Sequence, residues 1–93
     1  MWDIYEHRRV VKQLKAAPTE VLKRYEKWKD IMVLTGPTGI RQIKGFHDEA
    51  LRGEWKKHRS SRLGLQYRII YQVVKDQILI KVVNLTPHDY GKK

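Results

Sequence analysis

Cysteine is missing from all 93 residues, which removes disulfide bridges, thiolate catalysis and cysteine-ligated zinc. Acid is scarce: 10 Asp plus Glu stand against 20 Lys plus Arg, for a formal charge of +10. That imbalance costs stability by self-repulsion and favours a polyanionic partner, nucleic acid first, an acidic protein or anionic membrane after it. No apolar run approaches a membrane span, and the opening "MWDIYEHRR" has no continuous apolar core of a secretion signal, so a cytoplasmic location and no membrane partner are expected. The sequence contains no Gly-x-Ser-x-Gly elbow, phosphate-binding glycine loop or dinucleotide fingerprint, and no cofactor is expected. Nor are carboxylates clustered as a two-magnesium nuclease requires. The HExxH spacing of a helical zinc site is also missing, and metal is set low.

An apolar and aromatic content typical of globular chains remains, enough for one modest core, so residues 1–93 are read as one domain. Trp2 to Tyr5 has a short strand pattern. From Glu6 the period becomes helical, with Val10, Val11 and Leu14 on one face,. Pro18 interrupts in "AAPTE", and Thr19 and Glu20 suit a new helix start. The second helix carries Val21, Leu22, Tyr25, Trp28, Ile31 and Met32 and stops near "TGPTG",. Gly36 to Gly53, punctuated by glycine and Pro37, reads as a long ordered loop with room for one helical turn.

Beyond Gly53 the pattern is β: "EWKKHRSSRL" pairs with "QYRIIYQVV", and "KD" makes a tight turn into "QILIKVVNL",. If both turns are symmetric, Tyr67, Ile69, Tyr71 and Val73 oppose Asn84, Val82, Ile80 and Ile78 on a nearly apolar face for the helices to cover. The opposite face carries His58, Ser60, Arg62, Gln66, Arg68, Ile70, Gln72 and Lys81. The first hairpin, symmetric about Leu65, sets Arg62 opposite Arg68. Like charges facing each other repel, yet two guanidiniums on rigid strands form a fork for an anion such as phosphate. The alternative is that both point into water or are neutralised by Asp48 or Glu49.

The chemistry available is that of cations, imidazoles and phenols. It suits transesterification of RNA, in which a 2′-hydroxyl attacks the neighbouring phosphorus: a base takes that proton, arginines steady the added negative charge, and a histidine can protonate the departing 5′-oxygen. Of the histidines, His7 is most simply a surface residue, and His47 and His88 each precede Asp. Read alone, "TPHDY" is a terminal turn with Tyr90 against the sheet edge.

The segments "LRG" (Leu51 to Gly53), "RSSRL" (Arg59 to Leu63), "QYRIIYQV" (Gln66 to Val73) and "TPHDY" (Thr86 to Tyr90), in that order after a helical hairpin, resemble the RelE/ParE superfamily of toxin-antitoxin toxins over essentially the whole chain. The resemblance implies an α+β fold, with an N-terminal helical hairpin packed on a twisted, mainly antiparallel sheet. In the RelE and HigB branch it implies a type II toxin that is an mRNA interferase, cutting mRNA in the ribosomal A site without metal and leaving a 2′,3′-cyclic phosphate or its hydrolysed product. Carried over, Arg68 matches the strand arginine gripping the scissile phosphate and Arg62 the basic residue on the preceding strand. His88 stands where a terminal acid or charge stabiliser is found, and Tyr90 resembles the C-terminal aromatic. His58 is favoured as general base, with His47 the second candidate. Lys56, Lys57, Arg59 and His47 are expected to bind RNA.

The implied partners are a cognate antitoxin, the message and ribosomal RNA, with the free toxin a monomer. The ParE branch shares the fold and poisons DNA gyrase without cutting RNA. It has no need of two arginines and an imidazole around one phosphate, so "HRSSR" with "PHDY" favours the nuclease. A basic nucleic-acid-binding module without chemistry ranks last.

Overall fold

The structure, a computed structural model, describes residues 1–87; the expectations placed on His88 and Tyr90 lie outside the described residues. Five strands, β1 (Asp3–Glu6), β2 (Glu49–Ala50), β3 (Arg59–Arg62), β4 (Tyr67–Val74) and β5 (Leu79–Pro87), form one sheet in the order β1-β5-β4-β3-β2. β1 runs parallel to β5 and the other pairs are antiparallel. The helices α1 (Arg8–Lys15), α2 (Thr19–Thr35) and the short α3 (Pro37–Arg41) complete the α+β architecture and the helical hairpin read from the sequence.

The hairpin forms where its signals are. His7 caps α1, its Nδ1 accepting from the Arg9 backbone N–H at 3.0 Å, which supplies one of the unpaired donors at a helix start. Pro18 then stands just before α2. Val21, Tyr25, Trp28 and Met32 recur at helical spacing and bury against Val10, Ile69, Tyr71, Ile80, Val82 and Leu85, so α1 and α2 share the apolar sheet face. Trp28 is central: stacked on Tyr25 at 5.6 Å, edge-on to Tyr71 at 5.4 Å, and donating from Nε1 to Ser61 Oγ at 3.0 Å. Tyr25 donates its hydroxyl proton to Glu6 Oε2 at 2.5 Å. Burial first, then that carboxylate, pushes its pKa far above the ordinary value,.

The sheet departs from the sequence reading in three places. Gly36 to Gly53 is more structured than one loop: it holds α3, a 3-10 turn at Lys44–Phe46 and β2. Gly36 starts it at φ 71, where an added Cβ would lie 2.4 Å from Trp2 Nε1, so only glycine allows both the turn and the close approach. The strand expected from Glu54 begins at Arg59 instead, because Gly53–Trp55 forms a 3-10 turn and Lys57 takes φ 72, an irregular conformation that ends strand pairing. Finally, "KD" is not a tight turn. Lys75–Gln77 makes a 3-10 turn, Ile78 is left-handed at φ 48 and half exposed, and the β4–β5 ladder shifts again at a bulge between Ile70 and Tyr71. Tyr71 therefore opposes Val82, Val73 opposes Ile80 and Asn84 opposes Ile70; Ile78 and Asn84 leave the apolar row where symmetry had set them.

β1 ends its pairing at Val82, leaving the rest of β5 an edge without a strand neighbour on that side among the described residues. Gln13 of α1 closes part of it: its Oε1 accepts from Leu85 N at 2.8 Å and its Nε2 donates to Asn84 Oδ1 at 2.7 Å. A side-chain amide thus supplies what a neighbouring strand would.

Candidate functional site

The β3–β4 ladder has the register that symmetry about Leu65 required, with Arg59 opposite Tyr71, Ser60 opposite Ile70, Ser61 opposite Ile69 and Arg62 opposite Arg68. Directly opposed residues share a sheet face and successive ones alternate, so "RSSR" is split. Arg59 and Ser61 face the helices with Tyr71; Ser60 and Arg62 face away with Arg68.

On the helix side, the charges and hydroxyls are satisfied among themselves. Asp48, whose side chain is fully buried, accepts from Arg59 Nε at 2.7 Å, from Ser61 Oγ at 2.7 Å and from the Tyr71 hydroxyl. Burial raises the Tyr71 pKa well beyond its usual range and the Asp48 charge adds to this, against the opposing pull of Arg59. Burial also works against the charge on Arg59, but the hydrogen bond and the charge of Asp48 outweigh it and hold its pKa up. The cluster is thus an ion pair whose fully buried carboxylate accepts three hydrogen bonds, the condition under which such a pair survives in a core.

The other side carries a pocket of about 190 Å³ lined by His47, Asp48, Glu49, Ser60, Arg62 and Arg68. Three pieces of chain build it. β3 and β4 bring Arg62 and Arg68 side by side. β2 adds Glu49, paired with Ser60 and so on the same face one row along. The segment before β2 is pinned on both sides of His47, by the buried ring of Phe46 and the buried carboxylate of Asp48, and between these anchors His47 is turned out at φ 43. Arg68 Nε is buried and has no hydrogen-bond partner among the described residues. A buried guanidinium N–H without an acceptor costs about 1–3 kcal/mol, a cost that an oxyanion in the pocket would remove.

The expected site residues divide accordingly. Arg62, Arg68 and His47 come together at one pocket. His58, the favoured base, is not among its lining residues: its ring packs edge-on to Trp55 at 5.2 Å and its Nδ1 lies 3.2 Å from the Lys56 carbonyl oxygen. Arg59 is on the other face, paired with Asp48, and Lys56 and Lys57 sit in the turn before β3 and do not line the pocket. Glu49, named from the sequence as an alternative neutralising charge, lines the pocket beside both arginines. Its strand is two residues long, too short for an alternation to show. Asp48 was equally hidden, since nothing in "HDE" separates a buried acid from an exposed one. The described residues contain no group of three His, Asp or Glu able to hold a metal ion, and among them no helix is long and apolar enough to cross a membrane.

A helical hairpin on a five-stranded mixed sheet matches the RelE-like fold. No family model matches the chain, and no curated protein matches it by sequence. Solved structures do. The RelE chain of an archaeal RelE-RelB complex from Pyrococcus horikoshii OT3 superposes with a TM-score of 0.77 at 27% identity, over 97% of this chain and 98% of that one. A YoeB-YefM complex from Staphylococcus aureus matches with a TM-score of 0.72 at 15% identity, over 96% and 99% of the two chains. YafQ from E. coli gives 0.73 at 14% identity, over 94% and 93%. The RelE match fits the RelE/ParE toxin superfamily that the sequence resemblance implied.

Proposed function

We propose that this chain is the toxin of a type II toxin-antitoxin system and acts as a metal-independent endoribonuclease on mRNA in the ribosomal A site. The observation that carries the reading is the Arg62–Arg68 pair on adjacent strands, lining one pocket with a buried Arg68 N–H that lacks an acceptor among the described residues. In the reaction, the 2′-hydroxyl oxygen bonds to the adjacent phosphorus, the bond to the 5′-oxygen breaks, and a 2′,3′-cyclic phosphate remains. The two guanidiniums stabilise the pentacoordinate phosphorane, whose charge exceeds that of the ground state, so they act mainly on the transition state. His47 and Glu49 are the two groups in the pocket able to take the 2′-proton,; His88 is the acid that returns a proton to the leaving oxygen. Arginine chemistry of this kind needs no metal ion in the pocket.

The RelE and YoeB neighbours are complexed with RelB and YefM. For this chain a cognate antitoxin is the corresponding partner, and the charge of +10 calls for an acidic or amphipathic segment that orders on binding. Primer extension on a ribosome-bound message tests the activity. Wild-type protein is expected to produce new 5′ ends at codon-defined positions, and Arg68→Ala none. If wild-type protein leaves the message whole while arresting gyrase, the ParE-like reading replaces this one.

A further inference from the structure

The pocket at Arg62 and Arg68 continues beyond its own walls. His47 and Arg62 also line a second cavity, of about 360 Å³, together with Arg24, Gly45, Gly64 and Leu65. Arg24, Gly64 and Leu65 in turn line a third, of about 380 Å³, which runs on to Glu20, Val21 and Tyr67. Shared lining residues set these cavities in series, a trough that passes around the β3–β4 turn from the arginine pair on the open face to the start of α2 on the helix side.

Arg24 stands at its corner. Its guanidinium carbon lies 4.5 Å above the centre of the buried Phe46 ring, and it makes no ion pair among the described residues. Gly45 leaves it room, since an added Cβ would come within 2.7 Å of Arg24 Nη2. Stacking on an aromatic face fixes the plane of a guanidinium and leaves its N–H edges directed outward for an oxyanion. Past Arg24 the wall changes character. Leu65 is 86% exposed at the β3–β4 turn, with the half-buried Tyr67 beside it, an apolar surface of the kind on which a base stacks. Glu20 at the far end repels a second anion there and leaves that end to the uncharged part of a ligand.

We propose that the trough seats the nucleotide next to the cleaved linkage, with Arg24 holding its phosphate and the Leu65–Tyr67 wall receiving its base. The proposal rests on reading the Arg62–Arg68 pocket as an RNA site. Charge and adjacency select the occupant: a polymer with one phosphate in the first pocket carries its next phosphate toward the adjoining cavity, lined by Arg24, which makes no ion pair among the described residues.

The test is calorimetric titration of the isolated protein with uncleavable 2′-O-methyl oligonucleotides of two and three residues, which carry one and two internucleotide phosphates. Wild-type protein is expected to bind the trinucleotide about tenfold more tightly, the scale of one added charge-assisted contact. Arg24→Ala is expected to erase that gain while leaving dinucleotide affinity unchanged, and Arg24→Lys to restore part of it. Leu65→Ala, at an exposed position that cannot upset the core, is expected to weaken only the trinucleotide; it keeps the test decisive if circular dichroism shows Arg24→Ala unfolded. An undiminished length gain in Arg24→Ala, or equal binding of an acidic peptide of matched charge, overturns the proposal. Arg68→Ala separates the two readings. If it leaves dinucleotide binding intact, the first pocket is not the RNA site; if it abolishes that binding while the Arg24 and Leu65 variants behave as wild type, only the neighbouring subsite is wrong.

Discussion

The two faces of the β3–β4 hairpin hold arginines in opposite circumstances. On the helix side, Arg59 meets Asp48 at 2.7 Å, and that carboxylate is also bound by Ser61 and Tyr71. On the open side, Arg68 faces Arg62 across the ladder with its Nε buried and unpartnered among the described residues. Arg59 and Arg62 end the four-residue β3 on opposite faces, and Arg68 of β4 shares the face of Arg62, so the difference arises from the pleat and from the hydrogen bonds that Asp48 accepts on the helix side. A paired arginine contributes to the fold. A buried guanidinium N–H without an acceptor, as at Arg68 among the described residues, reduces stability and persists where an anion is to be bound.

Substitutions break this contrast in a definite order. The largest expected effect is on activity: Arg68→Ala lowers cleavage by about 10²–10³-fold, the loss seen when a charge-stabilising donor is removed, while thermal denaturation shows stability unchanged or slightly raised. Asp48→Ala does the reverse on the helix side, leaving Arg59 without its partner, and is expected to cost about 3–5 kcal/mol. In a domain of this size that lowers Tm by more than about 10 °C. Cleavage by any folded remainder also falls, because Asp48 is one of the two anchors that turn His47 toward the pocket.

Smaller effects sharpen the same comparison. Tyr71→Phe keeps the ring against Trp28 but removes one donor from a buried carboxylate, an expected loss of about 1–2 kcal/mol. It also changes the alkaline limb of stability. The pKa of Tyr71 is raised above its ordinary value of 10.0 in the folded chain, so the unfolded chain releases the proton first. Its stabilising contribution is complete below pH 10.0 and is lost as pH climbs from there toward the folded value,. Tyr25 acts with the same sign. Urea midpoints measured at rising pH above 10 are expected to fall for the wild type, and less steeply for Tyr71→Phe.

What could be read from the sequence follows the local regularity of each element. The β3–β4 register was legible because the turn around Leu65 is symmetric, and it placed Arg62 opposite Arg68 correctly. The β4–β5 register was not, because a 3-10 turn, a left-handed Ile78 and a bulge each shift the ladder, and none leaves a mark in the alternation of "QILIKVVNL". Of the candidate bases, His58 looked better placed because it falls on the right face by counting back from Arg62. The count fails at Lys57, whose positive φ breaks the strand. His47 and Glu49 come to the pocket through packing of Phe46 and burial of Asp48, tertiary events with no periodic signature.

The central claim is that Arg62 and Arg68 grip one phosphate together. A double-mutant cycle on single-turnover cleavage of a ribosome-bound message tests it, using Arg62→Ala, Arg68→Ala and the double variant, each verified as folded. Two groups acting on the same charge give a combined loss well short of the product of the single losses. A double variant whose loss equals that product would mean the arginines act separately, and full cleavage by either single variant would remove the site.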